Sequence, residues 1–137
     1  QVEMIEKKHR VEDALEAVKA AQLEGIVAGG GVAFLRVLKD LEGNVDNQDQ
    51  AIGAQCVADA IRAPIRQMAE NAGLSPDIIE SIVQNLEGNH GFDFGKEKEC
   101  DMIEAGIIDP VKVTKVALQN AAAAGTLIMT GYSILEV

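Results

Sequence analysis

"GIVAGGGVAFLRVL", residues 25–38, places three consecutive glycines directly ahead of an apolar run at helical spacing. Glycine loses more backbone freedom on folding than any other residue, so three in a row, where a helix start favours a polar cap, need a reason. Two local readings are open. One is a tight turn that lets two helices approach closely. The other is a stretch of bare main chain against which a flat ligand lies, with the free N–H groups of the next helix favouring an anion. Neither common phosphate fingerprint applies. Phe34 stands where a dinucleotide loop needs its third glycine, and no Gly-Lys-Ser/Thr follows as a Walker loop requires.

Upstream, residues 3–24 read as one long helix, with Val11, Ala14, Leu15, Val18 and Ala21 forming an apolar stripe and Gly25 as its C-cap. Asp13 falls on the opposite side of that stripe. By itself it reads as a solvated carboxylate, and a catalytic role needs a partner surface on that side. Downstream, 32–42 reads as a second helix and 42–50 as a polar surface loop. Residues 50–63 resume helical spacing, with Pro64 expected to break or kink the run before it continues to Gly73. Ser75 and Pro76 mark the N-cap and first position of a helix with Ile78, Ile79, Ile82, Val83 and Leu86 on its apolar face. "GNHGFDFGKEKEC", 88–100, breaks the period and reads as a short β-hairpin or ordered loop. "DMIEAG", 101–106, reads as one helical turn. Asp109 and Pro110 then read as the N-cap and first residue of an Ala-rich helix over about 110–125, a cap worth about 0.5–2 kcal/mol. Ser133–Val137 reads as a C-terminal edge strand. The expected fold is mainly α and multihelical, with a small β-hairpin and that edge strand.

Composition narrows the function. The chain has 137 residues and is 47% hydrophobic, with three Phe, one Tyr and no Trp, so Ala, Ile, Val and Leu fill its core. Its 22 acidic and 12 basic residues leave a net charge of −10, which argues against a nucleic-acid face or an anionic membrane surface. A nucleotide remains compatible, because backbone N–H groups and Mg²⁺ can hold one. Cys56 and Cys100 are too few for a disulfide framework and read as reduced thiols of an intracellular protein. No apolar run reaches membrane-spanning length, no signal peptide is visible, and the missing starting Met suggests a piece of a longer chain. His9 and His90 stand in no metal-ligand spacing and in no nucleophile pattern, so no metal site is expected.

The wording and order of four segments say more. "VEMIEKKHRVEDALEAVKAA", "EGIVAGGGVAFLRV", "APIRQMAENAG" and "MIEAGIIDPVKVTKVALQNAA" together resemble the C-terminal part of group I chaperonins, the GroEL family, over essentially the whole chain. The resemblance implies that residues 1–23 are the returning limb of an intermediate domain and 24–137 the second half of an equatorial, ATP-binding domain. It implies double rings of seven subunits that enclose non-native polypeptides under a co-chaperonin lid and cycle with ATP. By position, Gly29 and Gly30 match glycines on which the nucleoside rests. Asp109 matches the aspartate that binds the ribose hydroxyls. Asp93, Phe94 and Ile107 neighbour the adenine, and Asp13 matches the aspartate needed for hydrolysis. Phe94 is bulkier than the small residue usual at its position. The family's phosphate loop and Mg²⁺-binding aspartate lie in sequence that this chain does not contain, so the isolated chain is expected to lack ATPase activity. The resemblance places the protein in the cytoplasm of a bacterium, or in the mitochondrial matrix or plastid stroma of a eukaryote. The reading from another class is a non-enzymatic helical assembly module, in which the glycines and aspartates serve structure alone.

Overall fold

The computed structural model describes residues 2–41 and 45–135. The elements are α1 (Val2–Glu24), β1 (Ile26–Ala28), α2 (Val32–Arg36), α3 (Leu38–Leu41), α4 (Gln48–Asn71), α5 (Pro76–Asn85), β2 (His90–Asp93), β3 (Lys98–Asp101), β4 (Ile108–Pro110) and α6 (Val111–Leu135). The strands form two two-stranded sheets, β1 with β4 and β2 with β3. The chain divides into two compact units, one made of residues 1–26 and 109–137, the other of 27–108.

In the second unit the core is aliphatic, as the composition requires. Val32, Leu35 and Leu38 pack with Ala58, Ile61, Ile65 and Ala69 of α4 and Ile79 and Val83 of α5. The α4 residues recur at steps of three and four, so one stripe of the helix faces inward. That stripe explains why α4 runs through Pro64 without a break. Proline removes one backbone donor, but Ile61 and Ile65 on either side stay buried and hold the helix together. At the start of α4 the Asn47 side chain accepts the Gln50 N–H at 2.9 Å, a regular N-cap. Ser75 occupies the N-cap position of α5 as expected, yet its side chain caps nothing. The expected helix over 32–42 is two short ones, α2 and α3, with a turn at Val37 between them. "DMIEAG" is a turn rather than a helix, because Asp101 Oδ1 accepts the N–H groups of Ile103 and Glu104 at 2.9 and 3.0 Å.

Two polar devices fix this unit. The Arg36 guanidinium donates to the carbonyls of Val83, Gly88 and His90 at 2.9, 3.0 and 2.8 Å, tying α2 to the end of α5 and the start of the hairpin. Glu80 is buried and compensated by Arg62, Arg66 and Gln84. The expected hairpin is real: β2 and β3 are antiparallel, with His90 opposite Asp101 and Asp93 opposite Lys98.

The first unit holds α1 and α6. Gly25, at φ 84, ends α1 as the sequence predicts, and its N–H donates to the Ala21 carbonyl at 2.8 Å. Lys115 pairs with Glu24 at the same end. The side of α1 that packs shares only Ala21 with the expected stripe. Ala17, Ala20 and Ala21 are the half-buried residues, while Val11, Leu15 and Val18 are 68, 55 and 54% exposed in the order Val11, Val18, Leu15. Small side chains let α6 approach, and the larger aliphatic stripe points elsewhere. The C-terminal edge strand does not form over Ser133–Leu135, since α6 extends to Leu135. The Ala-rich sequence ahead of it has high helix propensity and carries the helix onward. Glu136 and Val137 lie outside the described residues.

Glycine substitutions test the packing by their sign. Gly31 has φ 78, and an added Cβ would lie 3.0 Å from Ile65 Cβ. Gly53 is inside α4 with open space around it. Urea unfolding is expected to show Gly31→Ala destabilised by about 1–3 kcal/mol and Gly53→Ala stabilised by about 0.5–1 kcal/mol.

Candidate functional site

The three glycines form the turn between β1 and α2, with Gly30 at φ 65 and Gly31 at φ 78. Each is packed against its own chain. A Cβ on Gly29 would sit 3.1 Å from the Ile107 carbonyl carbon and oxygen and 3.2 Å from that of Ile108. On Gly30 it would meet Met102 Cε at 2.8 Å. Gly29 N–H also donates to Ile107 O at 2.9 Å, so the structure brings Gly29 and Ile107 together directly. Close packing disfavours a side chain at Gly29 and Gly31, and positive φ disfavours one at Gly30 and Gly31, whatever else rests on the turn. Gly29 and Gly31 are buried, whereas Gly30 is half-exposed and presents bare main chain.

Asp93 and Phe94 stand where the hairpin turns. Asp93 is buried, and its Oδ1 accepts the N–H groups of Gly95 and Lys96 at 2.9 and 3.1 Å. Its Oδ2 lies 3.4 Å from Lys96 Nζ. Burial alone would raise the Asp93 pKa, but these backbone donors and the Lys96 ammonium together hold it below the ordinary aspartate value. The side chain is thus committed to its own turn. Phe94 is half-exposed and meets Phe92 edge to face at a centroid distance of 5.3 Å.

The two remaining acids lie in the first unit. Asp109 is in the middle of β4, two residues ahead of α6, and does not cap it. The reason is the strand: extended backbone over Ile108–Pro110 moves the helix start to Val111, beyond the reach of an N-cap at 109. Its carboxylate is half-buried and has no hydrogen-bond or ion-pair partner among the described residues. Burial pushes its pKa above the ordinary aspartate value. Asp13 is exposed on α1, likewise without a partner among the described residues. It lines a groove of about 700 Å³ with Ala17, Ala20, Leu23, Val113 and Val116, flanked by Lys19 and Lys112. Asp13 thus stands on the side of α1 that receives α6.

Two residues that organise this region carry no signal in the sequence. Arg36 sits in an apolar helix run, and its three carbonyl acceptors are 47–54 residues away. Met102 is read as part of a local turn, although it is 1% exposed and lies beneath Gly30. Among the described residues no group of three or more His, Cys, Asp or Glu is placed to hold a metal ion, and Cys56 and Cys100 are free.

The raised pKa of Asp109 means that the folded chain binds this proton more tightly than the unfolded chain. Stability contributed by the group is then present below the ordinary aspartate pKa and lost as pH rises through the folded value. Asp109→Asn is expected to have a higher Tm than the parent at pH 7 and an equal one below the ordinary value, roughly pH 3.9. A helix cap would give the opposite result at neutral pH.

The family model described as the TCP-1/cpn60 chaperonin family matches residues 1–136. Among solved structures, the chain is similar to a group III chaperonin crystallised in the open state, with a TM-score of 0.75 and 29% identity over 81% of this chain. That alignment covers 24% of the group III protein, so the chain spans about a quarter of its length. A model that matches nearly every residue, together with the shared fold, identifies the chain as a member of the TCP-1/cpn60 chaperonin family.

Proposed function

We propose that this chain is the nucleotide-contacting C-terminal part of an ATP-dependent chaperonin of the group I class, a subunit of seven-membered rings that enclose non-native polypeptides under a co-chaperonin lid. Residues 1–23 then belong to the intermediate domain and 24–137 to the equatorial domain. One observation carries the reading furthest: Asp109, a half-buried carboxylate that neither caps a helix nor meets a partner among the described residues. Such a group is costly unless something arrives to hydrogen-bond it. The vicinal hydroxyls of a ribose supply two donors for its two oxygens.

The other residues take complementary parts. Gly30 offers uncovered main chain, held in place by Gly29 N–H on Ile107 O. The Asp93 side chain is already committed to Gly95 and Lys96, which leaves recognition of the base to main-chain groups and to the apolar flanks of Phe94 and Ile107. Asp13 has free carboxylate oxygens and lines a groove wide enough for water. The role given to Asp13 is to orient the attacking water and take its proton late in the reaction. Mg²⁺ would offset the charge on the phosphates when bound, through ligands outside this chain.

An assembly role without nucleotide has one observation in its favour, the exposed Val11, Leu15 and Val18 side of α1. ATP titration of the full-length protein separates the two readings, because assembly alone predicts no saturable binding. With nucleotide bound as proposed, Asp13→Ala keeps parental ATP affinity and loses roughly 10²-fold or more in turnover. Asp109→Asn binds ATP roughly 10-fold or more weakly, from lost hydrogen bonds to a charged acceptor. Loss of binding in Asp13→Ala with normal turnover at saturation would contradict the roles given.

A further inference from the structure

We propose that Met102 is a positioning residue for the nucleotide site: its buried thioether props the glycine turn from below and couples it to the hairpin. The role rests on the nucleotide reading above, since it concerns how Gly29, Gly30 and Ile107 are held. It does not require Met102 to touch any ligand.

Met102 is 1% exposed, among the most deeply buried large side chains. It fills the space of two missing side chains at once. A Cβ on Gly30 would lie 2.8 Å from its Cε. A Cβ on Gly91, in β2, would lie 2.9 Å from its Cγ and 3.0 Å from its Sδ. An unbranched side chain is the shape that reaches from one backbone to the other. The main chain of Met102 adds a second linkage. Its N–H donates to Asn89 O at 3.0 Å, at the base of the hairpin. Its carbonyl accepts the Ile107 N–H at 2.8 Å, and the Ile107 carbonyl accepts the Gly29 N–H at 2.9 Å. Side chain and main chain thus converge from one residue on Gly29, Gly30 and Ile107. Removing the thioether leaves the underside of the turn without support, while the hydrogen-bond relay alone cannot fix the height of Gly30.

Position matters more than stability in such a role. A displacement of about 1 Å in a positioning group can cost on the order of 10²-fold in function. Val83 is the control, because it is fully buried in the same unit, on α5, and is not among the nearest atoms to a Cβ built on Gly29, Gly30 or Gly31.

The test uses the full-length protein, with ADP affinity measured by calorimetry and turnover measured at saturating ATP. Met102→Ala is expected to weaken ADP binding roughly 10-fold or more and to change saturated turnover by less than about 3-fold. Met102→Leu, which conserves volume, is expected to bind within about 3-fold of the parent. Val83→Ala is expected to lower the melting temperature and leave ADP affinity unchanged. If Met102→Ala does not fold, Met102→Val takes its place with the same expectations. Parental ADP affinity in a folded Met102→Ala, or an equal loss of affinity in Val83→Ala, overturns the role of Met102. A parent that binds no ADP overturns the nucleotide reading itself, and the two failures are therefore distinct.

Discussion

At Gly29, Gly30 and Gly31 other parts of the chain come so close that an added side chain would force them to shift, and much of the second unit is arranged around that approach. Ile107 and Ile108 close over Gly29, Met102 lies beneath Gly30, and Ile65 of α4 presses on Gly31. The last contact places the middle of α4 against the start of α2, which is why the helix must stay continuous across Pro64. Gly91 repeats the arrangement one layer on, since its missing Cβ makes room for Val32 and Met102. A core without Trp and nearly without Tyr is suited to this kind of packing, because aliphatic side chains and bare glycine surfaces fit together without large gaps.

Three acids, Asp93 of the second unit and Asp109 and Asp13 of the first, differ by what the fold has already done with them. Asp93 is engaged: two backbone N–H groups occupy its Oδ1, Lys96 lies beside its Oδ2, and together they hold its pKa down against the opposing effect of burial. Asp109 is uncommitted, desolvated enough to raise its pKa and given no partner in return among the described residues. Asp13 is uncommitted and solvated, on a helix edge that lines a groove. Asp13 keeps water around it, whereas Asp109 loses part of its hydration with no partner in return among the described residues.

The first unit leaves much of its aliphatic surface uncovered. None of the described residues of α1 is buried, and it presents Val11, Leu15 and Val18 away from the residues that pack. The chain spans 24% of the group III chaperonin to which it is similar. Most of the stability of a helix such as α1 comes from packing of an apolar face, and α6 packs only on its small-residue side.

The sequence by itself determined the elements whose causes are local. Gly25 ends α1, the Ser-Pro pair starts α5, the period break at 88–100 marks the hairpin, and four family segments in order mark the chaperonin. Tertiary structure decided which face of each element is used. Val11, Leu15 and Val18 read as the buried side of α1, but burial depends on a partner, and α6 fits the smaller Ala17 and Ala20 edge instead. Asp109 reads as a cap, but pairing of β4 extends the backbone there and moves the helix start past it. Ser133–Leu135 reads as strand, but a helix already under way continues at less cost than a new element begins. Gly29 and Gly30 stand out in the sequence, yet the atoms that demand them belong to Ile107 and Met102, more than 70 residues on. Such proximity is a property of the folded chain, and no local pattern encodes it.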